Sequence, residues 1–155
     1  MRLTDFLSPE TIKVPLEGTT KEEILRELVE LTCRGEDEQF CDAVLDTVIE
    51  REGLMSSGIG QGIALPHGLW THEISFAGSL GVPAQPVDFD AIDGKPVNVV
   101  FLLVCDKEHT NTKLKALARI SRLLHRKDFR VGLANSTSAE GAMRVIVEEE
   151  AQHRI

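Results

Sequence analysis

The sequence predicts an α/β protein in which helices cover a mixed β-sheet. Segments with helical spacing of apolar residues are interspersed with short strand-like runs, which is typical of this class. The run VNVVFLLV, residues 97–104, is apolar at nearly every position and indicates a central strand buried on both faces. The 155 residues, without repeats or long linkers, fit one domain spanning 1–155.

The N-terminal third is predicted to form a strand followed by two helices. Residues 10–16 fit a short edge strand in which Pro15 ends regular pairing. Thr20 and Glu23 fit a capping box that opens a helix over about 20–33, and Gly35 stops it. A second helix is predicted over about 38–52. The predicted buried residues of the two helices are Ile24, Leu25, Leu28, Val29, Leu31, Phe40, Val44, Leu45, Val48 and Ile49.

Two strands are expected in the middle of the chain. Residues 62–65 form a short apolar run. Residues 73–82 alternate, with the bulky Ile74, Phe76, Leu80 and Val82 on one face and the small Ser75, Ala77, Ser79 and Gly81 on the other. A face with so little side-chain volume allows another element to pack very close to the sheet.

Three helices are predicted after the central strand. Thr112 is expected to cap the first, whose buried face would hold Leu114, Leu117, Ala118, Ser121 and Leu124. A short helix is expected near 127–134. Thr137 and Glu140 repeat the capping-box pattern before a C-terminal helix carrying Met143, Ile146 and Val147.

Charge and composition exclude several classes of protein. A net charge of −8 argues against nonspecific binding to nucleic acid or anionic membrane and suits docking to a basic protein surface, or simply solubility. No apolar run reaches the ~20 residues of a membrane span, and the N-terminus lacks the pattern of a signal peptide, so a cytoplasmic protein is expected. Cys33, Cys41 and Cys105 form no CxxC pair and are interpreted as reduced, mostly structural thiols.

The segment SSGIGQGIALPHG, residues 56–68, carries the strongest functional signal. It is not a dinucleotide fingerprint, because Ile63 stands at the third glycine position and a strand-like run follows. A P-loop is excluded because no Gly-Lys-Ser/Thr ending is present. Gly58, Gly60 and Gly62 allow positive φ and a concave anion-binding nest, although a tight turn before a strand explains the same pattern.

His67 lies near the end of this segment, between Pro66 and Gly68. A lone histidine is more often a surface or core residue than a catalyst, yet imidazole is nucleophilic and largely neutral near pH 7. Held beside an anion nest, it could accept a phosphoryl group, a reaction that needs mainly positioning and charge cancellation. The guanidinium of Arg51 would supply that charge, unless it serves only as a cation near a helix C-terminus.

The run REGLMSSGIGQGIALPHG, residues 51–68, resembles the signature of enzyme IIA of the fructose/mannitol class of the bacterial phosphoenolpyruvate-dependent phosphotransferase system. That signature reads approximately R-E-x-x-x-S-T-G-I-G-x-G-I-A-I-P-H-G, and here Ser57 replaces the threonine and Leu65 the last isoleucine. MRLTDFLSPETI resembles the N-terminus of the nitrogen-related, regulatory branch. FDAIDGKPVNVVFLLV and LKALARISRLL also resemble family segments.

The resemblance implies a mixed, largely parallel sheet with helices on both sides. It implies that His67 takes a phosphoryl group from the histidine-containing phosphocarrier protein while Arg51 steadies its oxygens, with Ser57, Gly58, Gly60 and Gly62 in support. Sugar-transport members pass the group to a IIB cysteine. Regulatory members use their phosphorylation state to control other proteins, such as a kinase or a transporter. No cofactor or metal is implied.

Two further segments depart from the family pattern. Thr110–Asn111–Thr112–Lys113–Leu114 places Lys113 where the family often has a second histidine. A lysine neutralises phosphate charge but cannot act as an acceptor, and an ordinary solvated side chain is the alternative; His109 lies four residues earlier. Trp70 is predicted to be a core aromatic rather than a partner contact. A zinc site formed by His67, His72 and His109 has no supporting ligand spacing.

The sequence is compatible with three functions. The first is a regulatory phosphocarrier that is expected to be free-standing, without a fused IIB or IIC segment, and its variant is a sugar-specific IIA subunit. The second is a protein-binding module in which His67 is rarely phosphorylated. The third, a small hydrolase using His67, is weak because no serine, cysteine or carboxylate is paired with it in a recognisable motif.

Overall fold

A computed structural model describes residues 1–70 and 76–152. Short 3₁₀ turns at Leu3–Asp5, Pro9–Thr11 and Lys107–His109 accompany the regular elements. The described strands are β1 (Ile12–Leu16), β2 (Gly58–Gly60), β3 (Ile63–Ala64), β4 (His67–Leu69), β5 (Phe76–Pro83) and β6 (Val99–Cys105). The described helices are α1 (Lys21–Thr32), α2 (Glu38–Leu54), α3 (Thr110–Leu124), α4 (Lys127–Ala134) and α5 (Ala139–Gln152).

All six strands form one mixed sheet in the order β1-β5-β6-β3-β2, with β4 also paired to β6. The pairs β1/β5, β3/β6 and β4/β6 are parallel, whereas β5/β6 and β2/β3 are antiparallel. This mainly parallel arrangement confirms the predicted fold class. β1 lies at one edge, as predicted, and its pairing with β5 shifts register between Lys13 and Leu16, on either side of Pro15.

The central position of β6 is confirmed by the two apolar cores that it separates. Val100, Leu102 and Val104 face the core that α1 and α2 cover. The alternate residues Val99, Phe101 and Leu103 face the core formed with α3, α4 and α5. Because successive side chains of a strand point to opposite faces, a continuous apolar run is what a sheet with helices on both sides requires.

Helix α1 packs against the face of β5 that carries small residues. The Thr32 hydroxyl donates to Ser79 Oγ at 2.9 Å, and the Ser79 hydroxyl donates to the Leu28 carbonyl at 3.2 Å. The helix itself begins at the predicted capping box, in which Thr20 Oγ1 accepts from the Glu23 N–H at 3.2 Å. The prediction of close packing on this face is confirmed for residues 76–83; Ile74 and Ser75 lie outside the described residues.

The C-terminal helices correct the predicted caps and buried residues at several positions. α3 begins at Thr110 rather than at a Thr112 cap, and it buries Ala116, Ile120 and Leu123 while Leu114 is 55% exposed. The predicted and the observed buried residues of α3 both have helical spacing, and contact with the sheet decides which of these two faces is buried. α5 is capped by Ser138, whose Oγ accepts from the Gly141 N–H at 3.0 Å, and not by Thr137. Val147 is exposed and is therefore not part of the buried face of α5.

The helices of the two described ranges include none that is both long and apolar enough to span a bilayer. Cys33, Cys41 and Cys105 are free thiols, with Cys33 and Cys105 buried. Burial raises the pKa of the Cys105 thiol. Trp70 is 2% exposed and packs edge-on against Phe40 with ring centroids 4.8 Å apart, which confirms the prediction of a core aromatic.

Candidate functional site

His67 is the first residue of β4, a strand that the sequence did not predict. It lies opposite Leu103 in the parallel pair with β6, and the Leu103 N–H donates to the Pro66 carbonyl at 3.0 Å. The histidine therefore does not end a free turn. It is held by the ladder of the most buried strand of the sheet, which fixes the position of its backbone.

Gly68 allows β4 to lie directly against α2. A Cβ atom at this position would overlap Val48 Cγ2 and would lie 3.1 Å from Val104 Cγ1 and 3.2 Å from Thr47 Oγ1. Thr47 Oγ1 accepts from the N–H of Leu69 at 2.9 Å, which ties the end of the strand to the helix. Sequence reasoning missed Thr47, because a threonine inside a helix carries no local signal of such a contact.

A pocket of about 240 Å³ opens beside His67. It lies where the last turns of α2, the strand β4 and the first turn of α3 meet. The structure thus brings three of the predicted site residues together: His67, Arg51 and Lys113. The pocket is lined by Thr47, Glu50, Arg51, Leu54, His67, Gly68, Leu69 and Lys113.

The imidazole of His67 is half-buried, and its two nitrogens differ. Nδ1 is fully buried. Burial lowers the pKa of His67; the Pro66 carbonyl opposes this, and the positive charges of Lys113 and Arg51 lower the pKa further. The ring is consequently neutral at physiological pH, with one nitrogen shielded from solvent.

Gly58, Gly60 and Gly62 belong to the β2–β3 hairpin and, unlike Gly68, do not line this pocket. Gly60 (φ +96°) and Gly62 (φ +81°) form the β2–β3 turn with Gln61 between them (φ 58°). The N–H of Gln61 donates to Asp93 Oδ2 at 3.0 Å, so the protein's own carboxylate occupies the turn. The positive φ of Gly60 and Gly62 shapes the hairpin, and Gly58 allows the close approach of Ala91; that these three glycines support a phosphoryl group stays a prediction.

Two further predicted residues lie outside the pocket lining. Ser57 joins α2 to β2, and its N–H donates to Glu52 Oε1 at 2.9 Å, while its hydroxyl is buried without a partner in the part of the chain described. His109 is the residue before α3, and its Nδ1 lies 2.5 Å from Asp106 Oδ1. The carboxylate of Asp106 thus engages that nitrogen of His109. His72 lies outside the described residues.

The comparison with protein families settles the identity of the domain. The family described as the phosphoenolpyruvate-dependent sugar phosphotransferase system, EIIA 2, matches residues 5–149. The chain belongs to the EIIA 2 family. This EIIA 2 domain has curated relatives of two kinds, regulatory and sugar-specific.

Some of the regulatory relatives match over nearly their full length. The chain is 36% identical to a nitrogen regulatory protein of Bradyrhizobium diazoefficiens, and the match covers 94% of this chain and 95% of the relative. A fructose-specific EIIABC component of Bacillus subtilis is 31% identical over 97% of this chain, but the chain spans only 24% of that longer protein.

Solved structures show the same fold. Nitrogen regulatory protein IIA-Ntr from Neisseria meningitidis superposes with a TM-score of 0.81 at 28% identity, covering 92% of this chain and 97% of that one. Mannitol IIA from Escherichia coli gives a TM-score of 0.69 at 20% identity, covering 90% and 98%, a likeness that speaks to the fold alone.

Proposed function

We propose that this EIIA 2 domain accepts a phosphoryl group on Nε2 of His67 from the histidine-containing phosphocarrier protein, and that it does so in a regulatory role. One observation carries the proposal: a half-buried, neutral imidazole shares a 240 Å³ pocket with the two cationic side chains of Arg51 and Lys113. The roles of these three residues are part of the proposal.

The choice of Nε2 follows from burial. Because Nδ1 has no exposure to solvent, a phosphorus atom on another protein can approach the ring only at Nε2. The lone pair of Nε2 attacks that phosphorus, the P–N bond of the donor's phosphohistidine breaks, and its electron pair returns to the donor's ring. The low pKa of His67 keeps that lone pair free of a proton at neutral pH.

Arg51 and Lys113 supply the charge that the transferred group needs. A phosphoryl group carries ~−1.5 to −2 charge at neutral pH, and catalysis of its transfer consists mostly of positioning and electrostatic stabilisation. The guanidinium offers a planar fork of donors to two oxygens, whereas the ammonium of Lys113 acts as a compact point charge.

The surface around the pocket suits a basic partner. Four exposed carboxylates follow one face of α2 at intervals of four residues and end at the pocket: Glu38, Asp42, Asp46 and Glu50. Like charges at this spacing destabilise a helix by ~0.2–0.5 kcal/mol per pair, so the row has a cost that packing does not offset. Leu54 and Leu69, 75% and 40% exposed, add an apolar rim that a docking protein would cover.

The regulatory role is supported by two curated relatives that carry that name and match over nearly their whole length. Two proteins named nitrogen regulatory protein, 36% and 33% identical, are each covered to 95% or more. We infer that the phosphorylation state of His67 controls a second protein, such as a kinase or a transporter. The fructose-specific relatives support a second candidate, a sugar-specific IIA subunit that passes the group to a IIB cysteine.

Labelling of the intact protein tests the proposal. The protein is mixed with phosphoenolpyruvate, enzyme I and the phosphocarrier protein, and mass spectrometry follows an acid-labile gain of about 80 Da, the mass of one phosphoryl group. We expect His67→Ala to abolish the adduct and Arg51→Ala to slow its formation. His125→Ala, at the exposed far end of α3, is the matched histidine control.

The outcomes separate the candidates. An adduct that persists in His67→Ala contradicts the site, and no adduct on folded wild-type protein with working donors favours the protein-binding module instead. If the adduct forms, adding a fructose-type IIB domain distinguishes the remaining two: rapid loss of the phosphoryl group to IIB supports the sugar-specific subunit, and retention supports the regulatory role.

A further inference from the structure

A buried carboxylate lies at the exposed end of α2, next to the arginine of the pocket. Glu52 is 8% exposed, although its neighbours Arg51, Gly53 and Leu54 are all exposed. Burying a carboxylate is unfavourable unless the charge is paired and hydrogen-bonded. Apolar packing therefore does not explain why the chain places a charge here.

The contacts of Glu52 join three parts of the chain. Its Oε1 lies 2.8 Å from Lys21 Nζ, at the first residue of α1, and accepts from the N–H of Ser57 at 2.9 Å. Lys21 in turn lies 5.6 Å from the centre of the Phe89 ring and 3.7 Å from Asp90 Oδ2. Charge-assisted hydrogen bonds of this kind are roughly twice as strong as neutral ones, so the carboxylate fixes the end of α2 against both α1 and the following turn.

The last turn of α2 needs such a restraint. The final helical hydrogen bond, from the N–H of Met55 to the Arg51 carbonyl, is long at 3.4 Å. Local unfolding of a helix end costs little free energy when few buried contacts hold it. Leu54 and Met55 at this end are 75% and 73% exposed. Arg51 precedes Glu52 by one residue, so the direction of its side chain depends on this turn.

We propose that Glu52 is a positioning residue, which holds the last turn of α2 through Lys21 and the Ser57 N–H so that Arg51 faces the phosphoryl group on His67. This inference rests on the proposed function. It assigns to the glutamate no contact with the transferred group. It also explains why the sequence joins a pocket-lining arginine directly to a buried acid.

A double-mutant cycle in the labelling assay tests the inference. Glu52→Gln, Arg51→Ala and the double variant are compared with wild type for the maximal rate of labelling and for the KM of the phosphorylated donor. A displaced catalytic group costs about a hundredfold in rate, so we expect Glu52→Gln alone to lower the maximal rate about ten- to a hundredfold with KM unchanged. In the Arg51→Ala background the same change should have less than about a twofold effect.

Controls keep the result interpretable. Asp90→Asn removes the exposed carboxylate near Lys21 but leaves the contacts of Glu52, and it should label like wild type. If thermal unfolding shows that Glu52→Gln does not fold, Lys21→Met breaks the same contact from α1 and takes its place in the cycle. Equal rate losses in both backgrounds, or a change in KM alone, overturn the inference; a wild type that is not labelled overturns the proposed function and this inference with it.

Discussion

Replacing Gly68 with alanine tests whether close packing of β4 against α2 positions His67. The new methyl group would overlap Val48 Cγ2 and press on Val104 Cγ1 at 3.1 Å. Both valines are 0% exposed, so neither has room to move, and the strand must shift away from the helix. That shift also stretches the hydrogen bond from the Leu69 N–H to Thr47 Oγ1, now 2.9 Å.

The expected loss of stability follows from these two effects. Overpacking a core costs about 1–3 kcal/mol, and a lost hydrogen bond adds about 1 kcal/mol. We therefore expect the free energy of unfolding to fall by about 2–4 kcal/mol, which lowers Tm by about 4–16 °C for a chain of this size. Because His67 moves with the strand, the labelling rate should fall about a hundredfold in the fraction that remains folded.

Chemical denaturation and the labelling assay measure the two quantities independently. Gly53→Ala is the matched control, because it lies in α2 with nothing within 4 Å of the added Cβ. Alanine in a helix is favoured over glycine by about 0.5–1 kcal/mol, so the control should be slightly more stable and label normally. A Gly68→Ala variant as stable and as rapidly labelled as wild type would refute the reasoning.

Three further predictions follow from the same geometry. The rate of labelling should fall at acid pH with a midpoint below the ordinary imidazole pKa of 6.5. Because the unfolded ring binds a proton more readily than the native one, the free energy of unfolding should also fall as the pH drops through 6.5. Rate and denaturation profiles of wild type check both, and a midpoint above 6.5 contradicts them. Lys113→Met should slow labelling about tenfold and raise the pKa of His67, because it removes a nearby positive charge, whereas Lys115→Met on the exposed face should do neither, as pH–rate profiles would show. Glu150→Gln should lower the free energy of unfolding by about 2 kcal/mol without affecting labelling, since the buried carboxylate accepts from the N–H of Leu3 at 2.8 Å and from Arg119 Nε at 3.4 Å.

Local sequence patterns were sufficient where neighbouring residues decide the structure. The Thr20–Glu23 capping box, the bounds of α4 and the two-sided burial of β6 depend on spacing within one segment. Patterns failed where two solutions fit equally well. α3 carries two apolar stripes, and only contact with the sheet selects Ala116, Ile120 and Leu123 over Leu114 and Ala118.

The sequence likewise predicted only part of the candidate site. The sequence predicted His67, Arg51 and Lys113, from the signature and from its departure at one position, and these three meet in one pocket. It also predicted a nest of glycines beside His67. The structure places Gly60 and Gly62 in a hairpin around Asp93, a residue more than thirty positions away that no local pattern connects to them.

By itself, the sequence determined the family, the fold class and the three side chains that share the pocket, because each is encoded in residues close together along the chain. Only the tertiary structure decided what holds them. β4 lies against α2 because Gly68 has no side chain, and the end of α2 is fixed by Glu52 through Lys21, which is thirty-one residues away. Such contacts depend on the packing of distant segments, where the energy of one arrangement over another is set by shape and burial.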